Sequence, residues 1–209
     1  MIFLRNPLLP GDSVTISTPF RLKYPSAGIS RLGHTGQAYY STQWYPKPAV
    51  YDRGGWKYIE YVDKGEYYSE FGSYDVTITL PKNYVVGATG KLVDGEEEIA
   101  WLDALAKKTQ ATDSFNTKEL SFPVSSDTLK TLHYRQDRVH DFAFFADKRW
   151  HVMQSKVRLP GSGREVGIHA YFTNHQAKMW KKATSYMERA ILDYSKWAGE
   201  YPYDDASAV

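Results

Sequence analysis

Between Tyr39 and Gly90 the chain reads YYSTQWYPKPAVYDRGGW, then a short linker, then EYYSEFGSYDVTITLPKNYVVGATG. Little other than β-structure suits this block. Val76, Ile78 and Leu80 alternate with Asp75, Thr77 and Thr79, the period of a strand with one buried face. Turn residues interrupt it at Arg53-Gly54-Gly55, Pro81-Lys82-Asn83 and Gly87 to Gly90. The same alternation appears upstream, where Val14, Ile16 and Thr18 interleave with Ser13, Thr15 and Ser17 after a Pro10-Gly11 turn. Further strands are expected over residues 118–123, 128–135 and 140–147. A hairpin is expected over 150–159 and 165–172, closed by Pro160-Gly161-Ser162-Gly163. The 17 Tyr and 6 Trp suit either sheets or an aromatic-lined surface.

Two helices interrupt this pattern. Glu96, Glu97 and Glu98 suit the positive end of a helix dipole, and Ile99, Leu102, Leu105 and Ala106 follow at helical spacing. This predicts a short helix over 96–108, a surface insertion between strands. A second, longer helix is predicted over 175–198, about 36 Å long. Trp180, Ala183, Met187, Ala190, Ile191, Tyr194 and Trp197 fall on one face of it, with Asn174 as N-cap and Gly199 as the stop. A long amphipathic helix after an all-β block reads as a second domain only beginning, and the closing YPYDDASAV, expected to complete neither helix nor strand, reads as a truncation.

A chain of 209 residues, 42% hydrophobic, suits one large domain or one domain plus part of another. A net charge of +2 gives no reason to expect nucleic acid or a membrane surface. The absence of cysteine removes disulfides, thiol chemistry and cysteine-held zinc. The first residues lack a signal-peptide core, and no run approaches the roughly 18 apolar residues of a membrane span. The segment reads as soluble, and its compartment stays open: a leader on a longer parent would leave no trace here.

Four segments in order resemble the zinc aminopeptidase family typified by aminopeptidase N. They are STQWYPKPAVYDRGGW at 41–56, EYYSEFGSYDVTITLPKNYVVGATGKL at 66–92, VHDFAFFADKRWHV at 139–152, and the helix ending in YSKWAGEYPY at 194–203. The resemblance implies a mainly β fold. A two-sheet, saddle-like β-domain would cover residues 1–148, ending soon after Asp141-Phe142-Ala143. Residues 149–209 would supply the first strands and first long helix of a truncated thermolysin-like catalytic domain. It also implies a parent enzyme that holds zinc and removes N-terminal residues from peptides.

The metal chemistry of that family needs two His at i and i+4 on a helix, with Glu beside the first. His34, His133, His140, His151, His169 and His175 are each followed by a residue other than Glu. The segment is therefore expected to hold no zinc and to be inactive alone. What the resemblance does carry over is a substrate contact in Ser41-Thr42-Gln43-Trp44-Tyr45. Gln43 matches a glutamine that helps hold the substrate's N-terminal end. Tyr45 stands where many members have Glu or Gln. Read without the family, Gln43 is more simply a residue that satisfies backbone groups of its own loop. His140-Asp141 resembles an oriented imidazole but lacks a nucleophile. Trp44, Tyr45, Trp56, Tyr58 and Tyr61 form either a sugar-stacking platform, the mark of a non-catalytic carbohydrate-binding module, or packing between two sheets.

Overall fold

A computed structural model of the chain describes residues 4–26, 31–58 and 68–209. The fold is mainly β, with several sheets and three helices. Strands β1 (Gly33–Thr35), β2 (Ala38–Ser41), β3 (Val50–Asp52), β4 (Gly55–Lys57), β5 (Gly72–Pro81), β6 (Val85–Ala88) and β7 (Lys91–Val93) precede helix α1 (Glu96–Gln110). Then come β8 (Leu129–Val139), β9 (Phe144–Asp147), β10 (His151–Arg158) and β11 (Glu165–Phe172). A 3-10 turn at Asn174–Gln176 leads into α2 (Ala177–Trp180), α3 (Ala183–Ala198) and β12 (Asp205–Ala208).

The first sheet has the order β1-β2-β9-β6 and the second β5-β8-β7, both antiparallel throughout. They share one core. On β5, Tyr74, Val76, Ile78 and Leu80 turn inward while Asp75, Thr77 and Thr79 face water, as the alternation requires. Across the register, Leu132 and Tyr134 of β8 meet Val86, Phe142 and Ala146. Outward residues pair too: Thr79 and Thr131 hydroxyls lie 3.0 Å apart, and His133 Nε2 lies 2.6 Å from Asp75.

The β6/β9 pair is buried on both faces. Val86 and Ala146 enter the first core; their neighbours Val85 and Phe145 enter a second, with Leu102, Trp150, Val152 and Tyr171. Helix α1 is thus no surface appendage, because Leu102, Leu105 and Ala106 wedge it against β10. This second core spans the expected boundary at 148/149. The link between β9 and β10 is charged yet buried: Asp147 and Lys148 are 1% and 8% exposed. Arg149 reaches back to Asp147 with Nε at 3.0 Å and Nη2 at 2.6 Å, while its guanidinium lies over Phe122. Lys148 donates to Gln37 and to Ser125, the latter at 2.9 Å.

Sheet β10-β11-β12 forms the far layer. The predicted hairpin is present, with His151 to Arg158 paired against Phe172 to Glu165. Beyond it, the segment that sequence reading leaves without an element is a strand: Asp205–Ala208 runs parallel to β11 and is joined to it through the helices. Four small or acidic residues give almost no strand signal, and only long-range pairing defines them. The long helix is interrupted at Lys181-Lys182, and its cap is Thr173 rather than Asn174, with Gln176 Oε1 accepting from the Thr173 N–H at 3.1 Å. Gly199 ends it with φ 103°. Met187 and Ile191 pack on Val157, Leu159, Val166 and Ile168, but Tyr194 and Trp197 point away, 64% and 72% exposed.

Two expected strands are absent. Residues 13–18 lie outside any sheet, with Val14 and Ile16 48% and 59% exposed. Alternation alone does not make a strand without a partner edge. Residues 118–123 run beside the fold with carbonyls held by side chains: Leu120 by Arg149 at 3.1 Å, Glu119 by Asn174 at 3.2 Å. Pro123 removes one ladder donor as well.

Leu102→Ala removes the residue by which α1 enters the second core, and should cost about 2–5 kcal/mol in urea unfolding. Elsewhere, Glu200 Oε1 accepts from the Gly161 and Ser162 N–H groups at 2.7 and 2.8 Å. A hydrogen bond from the Ser162 side chain first, then those from the Ser162 and Gly161 N–H groups, lower its carboxyl below the ordinary 4.5. The stabilisation is present above that value and is lost as pH falls through the depressed one. Glu200→Gln should therefore flatten the acid limb of stability below pH 4.5, measured by thermal melts across pH.

Candidate functional site

The loop leaving β2 carries both residues expected to meet substrate. Gln43 has φ 51°, in the left-handed region that costs a non-glycine residue on the order of 1 kcal/mol. Its half-buried side chain makes no hydrogen bond with another described residue. The bland alternative, that this amide satisfies its own loop, is therefore not what the geometry gives.

The following residues are tied down. Trp44 Nε1 donates to the Phe142 carbonyl at 3.0 Å, and its ring meets those of Phe144 and Tyr45 edge-on at 5.5 and 5.2 Å. The Tyr45 hydroxyl donates to Asp141 Oδ1 at 2.8 Å, and Lys47 Nζ reaches Asp141 Oδ2 at 3.2 Å. Asp141 Oδ1 also accepts the Phe142 N–H at 2.8 Å. One carboxylate thus gathers three donors and holds the loop against the segment entering β9. Burial first, then hydrogen bonds to Tyr74 and Asp141, push the Tyr45 phenol well above its ordinary range, so it stays a donor. Gln43 and Tyr45 leave the same turn with different duties: Tyr45 is spent on the frame, and the Gln43 amide is unengaged.

His140 does not pair with Asp141. Its exposed ring lies against Phe71, centroids 3.9 Å apart, and Asp141 is taken by the loop. The aromatic set divides as well. Trp44 and Tyr45 pack on the first core. Trp56 and Tyr58 are 63% and 76% exposed, and Trp56 sits edge-on to Tyr51 across the β3–β4 hairpin at 5.1 Å. Tyr61 lies outside the described residues.

Sequence reasoning missed one charged site. Glu96 and Glu97 are exposed first-turn carboxylates, but Glu98 is buried and accepts from Lys130 Nζ at 2.6 Å. Lys130 lies over the Trp101 ring at 4.2 Å, in the wall of a cleft of about 800 Å³ beside Lys82 and Asn83. Burial chiefly raises Glu98 and lowers Lys130, with each partner's charge opposing that effect. The signal was legible: Glu98, Trp101, Leu102 and Leu105 share a helical stripe, so Glu98 belongs to the inward face.

Among the described residues no three His, Cys, Asp or Glu side chains converge where a metal ion would sit. Among the described residues no helix is long and apolar enough to cross a membrane. No protein-family model matches the chain, and no curated protein matches it.

Tyr45→Phe should cost about 1 kcal/mol by removing one hydrogen bond, whereas Asp141→Ala strands three donors and should cost about 2–3 kcal/mol. Urea denaturation of both variants measures the difference.

Proposed function

We propose that this chain is the N-terminal part of a zinc-dependent aminopeptidase, whose β-domain caps a cleft completed by sequence that follows. The saddle-like domain over 1–148 and the opening of a thermolysin-like domain over 149–209 belong to this reading. The observation that carries it is the stitching of two of the quoted segments. Residues 44–47 are bonded to Asp141 and Phe142, and the Gln43 amide is left unengaged in a left-handed turn. A frame this specific around one idle amide is what a substrate contact requires: a group held in place, with its bonding capacity unspent. Gln43 would accept from the peptide's ammonium and donate to a carbonyl. Tyr45 serves by fixing the loop rather than by touching substrate. The outward row on α3, with Tyr186, Tyr194 and Trp197 62%, 64% and 72% exposed, is a face that the remainder of a catalytic domain would cover.

A second reading draws on Tyr51, Trp56 and Tyr58, which are 68%, 63% and 76% exposed. Exposed aromatics on a two-stranded hairpin suit a carbohydrate-binding module. Binding on a glycan array that is saturable and lost in Trp56→Ala would favour that reading.

The decisive experiment expresses the chain together with the sequence that follows it in its gene. Hydrolysis of aminoacyl p-nitroanilides is expected, abolished by chelation and restored by zinc. In that protein Gln43→Ala should raise KM several-fold with a smaller change in kcat. A coding sequence that continues without a His pair at i and i+4 would sink the proposal.

A further inference from the structure

Strand β5 lies at the edge of its sheet, paired with β8 on one side only. At ten residues it is the longest edge strand among the described residues. Strand β10 is also an edge, but α1 packs against it and Thr109 Oγ1 accepts the Val152 N–H at 3.2 Å. Nothing comparable shields β5. Pro81 lends its carbonyl to the following turn; otherwise no described residue outside β8 bonds the main chain of β5. Protein edges are commonly blunted by lysine, proline or a bulge. Here the bulge falls at Gly72/Tyr74 and the proline at Pro81, the two ends of the strand. Between them runs YDVTITL, with Asp75 as its one charge. The inward row is unfinished as well: Tyr74, Val76 and Leu80 are only half-buried, while Leu132 and Tyr134 next to them on β8 are 4% and 5% exposed.

We propose that β5 is a self-association edge, pairing antiparallel with β5 of a second copy about a two-fold axis at Thr77. Thr77 is the midpoint of the regular stretch from Tyr74 to Leu80. In that register Thr77 faces its own counterpart, Val76 faces Ile78, Asp75 faces Thr79 and Tyr74 faces Leu80. Apolar residues then meet apolar ones on the inward side, and hydroxyls meet on the outward side. A slip by one residue would set the inward row against the outward one. Like charges are nowhere opposed along the strand, because the acid at Asp75 meets a hydroxyl. Past the ends, the exposed Lys82 of one copy comes to the end that carries the exposed Glu70 of the other, opposite in sign. The three-stranded sheets of the two copies join into one of six strands, and Val76 and Leu80 lose their remaining exposure. A peptide of unrelated sequence would gain the main-chain bonds without this match, which the two-fold axis repeats. The edge is separate from the Gln43 loop, and the inference does not rest on the peptidase reading.

Sedimentation equilibrium of the 209-residue chain tests this. A reversible monomer–dimer equilibrium is expected at micromolar to millimolar concentration, since one strand edge is a small interface. A charge placed at the exposed Thr79 meets Asp75 of the second copy, twice by symmetry. Thr79→Lys should therefore tighten the dimer several-fold, and Thr79→Glu should weaken it several-fold. Both variants lose the same hydroxyl contact with Thr131, so the sign of the charge is what separates them. The chain has no cysteine, so a single introduced thiol reports the register. Thr77→Cys should give disulfide-linked dimers on air oxidation. Ser73→Cys, whose thiols would stand at opposite ends of the paired strands, should not. Circular dichroism verifies the fold of each variant. The proposal is overturned if the chain stays monomeric up to about 1 mM. It is equally overturned if the two Thr79 variants fail to shift the equilibrium in opposite directions, or if Ser73→Cys cross-links as readily as Thr77→Cys.

Discussion

Val85 and Val86 are neighbours in the chain, yet each serves a different core, and the same is true of Phe145 and Ala146 on the paired strand. Burial of β6 and β9 on both sides makes them the layer on which everything else is assembled. One face receives β5 and β8; the other receives α1 and the β10–β11 hairpin. Each apolar side chain buried this way contributes about 1.5–3 kcal/mol of transfer free energy. A polar residue at any of these positions would deprive one layer or the other of its seat. The Asp147-Lys148-Arg149 link follows from the same constraint. Turning the chain from one layer to the next inside the protein leaves three charges there, and each finds a partner.

The Gln43 loop depends on this arrangement at one remove. Its anchor, Asp141, sits just before β9, so the central strand's position fixes the carboxylate that draws in Tyr45 and Lys47. Gln43 is positioned by the same constraint, since its unusual backbone angle is held between β2 and a pinned Trp44.

Most of the β architecture was legible because strands such as Gly72–Pro81 carry their burial in their alternation. The hairpin at 151–172 was legible for the added reason that its turn residues are explicit. Residues 13–18 show how far alternation goes without an edge to pair with. The DASA strand shows the opposite case, where pairing exists and local pattern does not. The α3 helix was legible in existence but not in facing, since Tyr194 and Trp197 satisfy the spacing as well as Met187 and Ile191 do. At the candidate site, Gln43 and Tyr45 were legible through resemblance alone; that Tyr45 is bonded to the frame depends on Asp141, far away in the chain. The His169–Asp205 contact had no local signal, as its two residues meet only through a parallel pairing.

That parallel pairing also dictates an order of events. A hairpin such as β10–β11 closes locally and can form early. β12 pairs across the whole intervening chain that holds α2 and α3, so its docking costs more closure entropy and is the later step expected from topology. The Asp205 carboxylate meets His169 only through that pairing. The imidazole's surroundings thus report on the last register to lock, and its resonance would distinguish a finished sheet from one still lacking its third strand.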